Sequence, residues 1–188
     1  MPVETPQGVL DQFRAFLNDS LAAVGFALSG LRQLETTLVT MDQTPRVPGN
    51  PDPTIYVGRG DPNDAPGVMA GWRLSEALAR LVTDGPIDTL LSQQWLVYFY
   101  SGWEHEFRPR LADAHDCTTG KLQYPLFGDI RMLRDDIVHH RGIASEGKTG
   151  RCAVLRWFKV GDAILLNGEH QIEISNLIPW VDLEGGPR

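Results

Sequence analysis

The sequence predicts a mainly helical domain: an up-and-down bundle of four or five helices followed by a small C-terminal β element. Three observations carry that expectation. Apolar residues recur at steps of three and four over long windows, which is the period of a helix with one buried face. Six of the 13 prolines fall between residues 44 and 66, so the rest of the chain is left open to helix. After Gly147 the pattern changes to short β-rich runs separated by Gly161-Asp162 and Asn167-Gly168.

The first helix is expected over about Thr5–Met41, where Leu10, Phe13, Leu17, Leu21, Val24, Leu28, Leu31, Leu34 and Leu38 keep one stripe. Thr5 before Pro6 is a start signal, with proline tolerated in the first turn. Residues 44–66 are expected to be a loop, because no helix survives their proline density. Its length exceeds an ordinary connection. Helix resumes over about Val68–Val82 and is stopped by Asp84-Gly85-Pro86. Another helix is expected over Ile87–Phe107, facing Leu91, Trp95, Tyr98, Phe99 and Gly102 inward and closed by Pro109. A short helical turn follows to His115, then a loop at Thr118-Thr119-Gly120, then a helix over about Pro125–Ala144. Strands are expected at Cys152–Val160, Ala163–Leu166 and Gln171–Ser175. The domain reading is therefore a bundle over 1–147 and a β-hairpin extension, packed on it, over 148–188.

Composition narrows the functional classes. A chain of 188 residues with 42% hydrophobic side chains and five Trp can bury a core without staples. Cys117 and Cys152 form no CxxC pair and read as two reduced thiols. Residues 1–9 lack the basic start of a secretory signal, and no apolar run approaches the roughly 20 residues of a membrane span. A cytoplasmic protein with no membrane association is expected. The net charge of −7 argues against non-specific nucleic-acid binding by the whole surface. Its distribution is uneven: residues 105–160 carry 10 basic and 7 acidic side chains, while the flanking regions are both net acidic. An anion site would lie in that net-basic part.

That part holds Arg134-Asp135-Asp136-Ile137-Val138-His139, a guanidinium and an imidazole separated by four residues. Arginine forks onto phosphate oxygens, and an imidazole, titrating near 6.5 in water, moves protons at neutral pH. Spacing alone selects weakly, since Arg108–His115, Arg110–His115 and Arg134–His140 fall in the same range of separations. On an ideal helix Arg134 and His139 lie about 140° apart. A single chain then needs a distorted helix end to aim both at one phosphate, whereas a two-fold dimer can supply them from two copies. The bland alternative is a solvated helix end, with Arg131/Asp135, Asp135/His139 and Asp136/His140 as surface i,i+4 pairs.

The run Leu133–His139 resembles the signature of the HEPN superfamily, in which Arg, a polar residue and then His after four to six positions sit on the last long helix of an α-helical bundle. Ile137-Val138 matches the aliphatic residues usual before the His. The resemblance covers about 25 residues closely and the long first helix in outline. It implies a metal-independent endoribonuclease, a toxin or defence effector acting as a homodimer, with no cofactor, an RNA partner, and an antitoxin or regulatory protein as a further partner. It further implies His139 as acid or base at the ribose 2′-hydroxyl and Arg134 as stabiliser of charge on the phosphate. Many members have lost catalysis and serve as RNA- or nucleotide-binding and dimerisation modules, which is the alternative expectation here. Asp135 departs from the commoner Asn, and would repel phosphate unless it orients His139 or pairs with Arg131.

Supporting roles are expected for Asp135, His140, Arg131 and Glu104. Glu104, or Glu106, would buttress Arg134 from the neighbouring helix. Arg108, Arg110 and Arg141 are candidates to track an RNA backbone. No metal site is expected: His139 and His140 are adjacent and point apart, and His105 and His115 lack metal-binding spacing. Gly58-Arg59-Gly60 lies among prolines and is no phosphate loop.

Overall fold

The computed structural model describes residues 4–44, 50–59 and 67–187. Pro45, Pro48, Pro62 and Pro66 of the expected loop, and Gly60, lie outside the described residues. The chain is mainly helical, with one two-stranded antiparallel sheet among the described residues. The order is α1 (Pro6–Gln43), β1 (Thr54–Gly58), β2 (Val68–Arg73), α2 (Leu74–Leu81), α3 (Pro86–Gly102), α4 (Arg108–Ala114), α5 (Pro125–His139), α6 (Gly168–Leu177) and α7 (Trp180–Gly185). No helix among the described residues is long and apolar enough to cross a membrane. The described chain falls into two units, residues 26–88 and residues 4–25 with 89–187.

In the smaller unit, β1 and β2 pair from Thr54↔Arg73 to Gly58↔Val68. A strand therefore replaces part of the expected loop, and β2 replaces the start of the expected helix at Val68. The run Thr54-Ile55-Tyr56-Val57 is β-branched and aromatic, and that preference prevails between the prolines. Asp52 caps α2, accepting from the Ser75 backbone N–H at 3.0 Å and its hydroxyl at 2.7 Å. Leu38, Leu74, Ala77 and Leu81 form the local core. Arg32 donates to Asp88 at 2.7 Å and to Glu35 at 2.8 Å.

The larger unit carries the site. Thr5 caps α1 as its sequence predicts, accepting from the Gly8 N–H at 3.1 Å. Val9, Leu10, Phe13 and Leu17 then enter a core shared with Trp95, Phe99, Trp103 and Phe107. Tyr98 does not face inward as expected; it is 59% exposed. Gly102 earns its place by close approach, because a Cβ there would meet the Phe16 ring at 2.5 Å. Pro109 does not close the helix: α3 continues through a π turn at Trp103–Phe107 into α4, where Pro109 occupies an opening position that needs no N–H donor.

The C-terminal strands are absent, and the reason is local. Backbone N–H groups of Ala153, Val154 and Leu155 all donate to the Asp129 carboxylate, so they are spent before any ladder can form. The one isolated bridge among the described residues joins Ala163 to Ile143, a residue expected in the helix and not in a strand. Gln171–Ser175 lies inside α6, capped by Asn167, whose side chain accepts from the His170 N–H. Gln171, Ile174 and Ile178 are buried while Ile172 is 62% exposed, a helical spacing in place of the alternation. These C-terminal residues share the core of the helices, with Leu155, Ile164, Ile174 and Leu183 fully buried.

Candidate functional site

Helix α5 begins with Pro125 at its opening position and buries Leu126, Ile130 and Leu133, the expected stripe, with Ile137 partly buried. Two carboxylates lie on the same side. Asp129 and Asp136 are one heptad apart, within about 20° of each other on a helix, and both are buried. Asp129 takes the 153–155 backbone. Asp136 takes the Ser145 N–H at 2.8 Å, the Ser145 hydroxyl at 2.7 Å and the Thr149 N–H at 3.1 Å. His140 Nδ1 lies 2.6 Å from the same carboxylate, which can only accept, so that nitrogen carries the proton. Burial pushes the Asp136 carboxyl up, but the hydrogen bonds from Ser145, Thr149 and His140 outweigh it and hold the group well below the usual carboxylate range.

The helix ends one turn earlier than expected, at His139 and not near Ala144. Arg141 at φ 56° and Gly142 at φ 70° turn the chain back in the left-handed region. The loop 143–149 then wraps Asp136. A corner held by the Asp136 carboxylate thus presents the end of α5 to solvent.

On that corner the expected residues separate. Arg134 is half-buried and donates to Asp135 at 3.2 Å; Lys148 Nζ donates to the other Asp135 oxygen at 2.6 Å. Asp135 is thus paired with Arg134 and Lys148, and not with Arg131 or His139 as expected. Partial burial raises the Asp135 carboxyl, and the two cations more than offset that, leaving it below its ordinary range. His139 is exposed in the last helical position. Because α5 stays α-helical to that point, the positions of Arg134 and His139 remain about 140° apart around the helix. The expected surface pair Asp136/His140 is instead a buried carboxylate holding a half-exposed imidazole. Arg131 and Arg141 are exposed, with no side-chain hydrogen bond or ion pair among the described residues.

Glu104 does not buttress Arg134. Both its oxygens accept from Arg108 Nη1, at 3.0 and 2.9 Å, and one accepts from the Tyr100 hydroxyl at 3.2 Å. Arg108 also donates to the Thr119 carbonyl at 2.9 Å. Glu106 pairs with Arg110 at 3.1 Å, and Arg110 further binds Glu4 and Gln12. Each of these arginines must give up a carboxylate to take a phosphate, unlike Arg131 and Arg141.

Lys148, Ser145 and Thr149 were not singled out by the sequence. The available signal was the pair of aspartates set along the apolar stripe of α5, since a carboxylate on a buried face needs donors. No family model, no curated protein and no solved structure matches this chain.

Proposed function

We propose that the protein is a metal-independent endoribonuclease of HEPN type, a toxin or defence effector acting as a homodimer with a composite site of Arg134 and His139. One observation carries this reading: both groups are solvent-accessible at the end of α5, on a corner held from behind by Asp136, at helix positions about 140° apart. A two-fold axis passing near the end of α5 brings Arg134 of one copy to His139 of another. His139 then takes the ribose 2′-hydroxyl proton, the 2′-oxygen attacks the adjacent phosphorus, and the 5′-oxygen leaves with a proton from water, giving a 2′,3′-cyclic phosphate. Arg134 supports the charge on the non-bridging oxygens. Asp135 holds one arm of that guanidinium, and Lys148 offsets its negative charge, so the cluster of three keeps one net positive charge. Cleavage of single-stranded RNA in excess EDTA tests the reading. His139→Ala should lower the rate by about 100-fold or more; equal rates would overturn it.

A second reading is favoured by the Arg134–Asp135 contact, which spends a phosphate donor and adds a carboxylate beside the anion. The same corner would then bind RNA or a nucleotide without turnover. Binding lost on Arg134→Ala, with no product from the wild type, marks that outcome.

A further inference from the structure

A cleft of about 470 Å³ opens between α3, the π turn and the first half of α5, lined by Tyr100, Glu104, Arg108, Tyr124, Gly128 and Arg131. Its polar groups converge. Tyr100 donates to Glu104, and the charges of both Arg108 and Arg131 are felt at the Tyr100 hydroxyl. Burial, with the Glu104 carboxylate beside it, pushes that hydroxyl up to about 12, so it remains a donor at neutral pH. Glu104 neutralises Arg108, whose Nε is nevertheless buried without a hydrogen-bond partner. Arg131 is left as one cation in excess. The π turn that forms one wall is a distortion retained at a cost in helix geometry, and such turns concentrate at functional sites.

We propose that this cleft is a nucleotide subsite that seats one phosphodiester unit of a single-stranded RNA on Arg131. The single excess cation matches the one charge of a phosphodiester, leaving a terminal phosphate dianion half-compensated. The ligand reaches the α5 backbone at Gly128, where an added Cβ would meet nothing within 4 Å. Arg131 precedes Arg134 by three residues, which places their Cβ atoms roughly 5–6 Å apart. A strand lying along α5 then fills the cleft with the unit next to the one held at Arg134. This inference rests on the reading of that helix end as an RNA site.

The test is binding of a 2′-O-methyl hexanucleotide, which cannot be cut by 2′-oxygen attack, to the full chain and to Arg131→Ala and Gly128→Leu. Leucine favours helix over glycine and enters open space, so Gly128→Leu plugs the cleft without lowering Tm. Both variants should bind about tenfold more weakly. Arg131→Ala should also flatten the salt dependence by about 0.7 in log–log slope. Undetectable wild-type binding, or wild-type affinity in both variants, overturns the subsite. If RNA is cleaved and both variants bind normally, the subsite fails while the ribonuclease reading stands. If both variants weaken binding and no RNA is cut, the subsite stands and the ribonuclease reading falls.

Discussion

Asp136 is the residue on which the site geometry depends. It is a buried charge that is stable only because four donors meet it, and two of those donors are backbone N–H groups of the 143–149 loop. Asp136→Ala leaves those donors without a partner and should cost about 3 kcal/mol, read from urea unfolding. The pH dependence follows from the same bonds. The folded-state pKa is depressed, so the stabilisation is fully present above the unfolded value of about 3.9 and fades as pH falls toward the lower folded value. Asp136→Asn should therefore be less stable near neutrality and show a shallower loss of stability below pH 4 than the wild type. An unchanged acid slope would mean that other carboxylates govern acid unfolding. An i,i+4 Asp/His pair looks solvent-facing in sequence, whereas the loop donors to Asp136 lie nine and thirteen residues away.

At the scale of elements, what the sequence made legible was what periodicity alone decides. α1 carries its Thr5 cap where expected and buries Leu10, Phe13, Leu17 and Leu38 of its stripe but exposes Leu34, and α5 buries Leu126, Ile130 and Leu133. The C-terminal region defeats pattern reading because Gln171-Ile172-Glu173-Ile174-Ser175 alternates as a strand would, while the buried positions are 171, 174 and 178. Asn167-Gly168 is as good a helix cap as a hairpin turn. The two readings are separable by mutation. Ile174→Ala should cost about 2–5 kcal/mol and Ile172→Ala less than about 0.5 kcal/mol; equally large costs at both would restore the strand, which carries 172 and 174 on one face. The strand at Thr54–Gly58 escaped notice for the opposite reason: the surrounding prolines outweighed a short β-branched run. Within the site, charge and spacing singled out Arg134 and His139, but the partners of Asp135, Glu104 and Arg110 depend on contacts that no local pattern records.

For the whole molecule, the proposed reading requires an acidic chain that repels RNA broadly and admits it at its net-basic stretch over residues 105–160. Steering of that kind predicts RNA affinity that falls steeply with salt, most of it lost on removing Arg131 and Arg134 together. On the proposed reading no single chain holds a complete site. The direct measurement is RNA cleavage in excess EDTA by Arg134→Ala and His139→Ala proteins, assayed separately and after co-refolding. Each alone should be inactive. Half of the mixed dimers would be hetero-dimers carrying one intact Arg134–His139 pair, so the mixture should recover about a quarter of wild-type activity. A mixture as inactive as its components, beside an active wild type, would contradict a site shared between two copies.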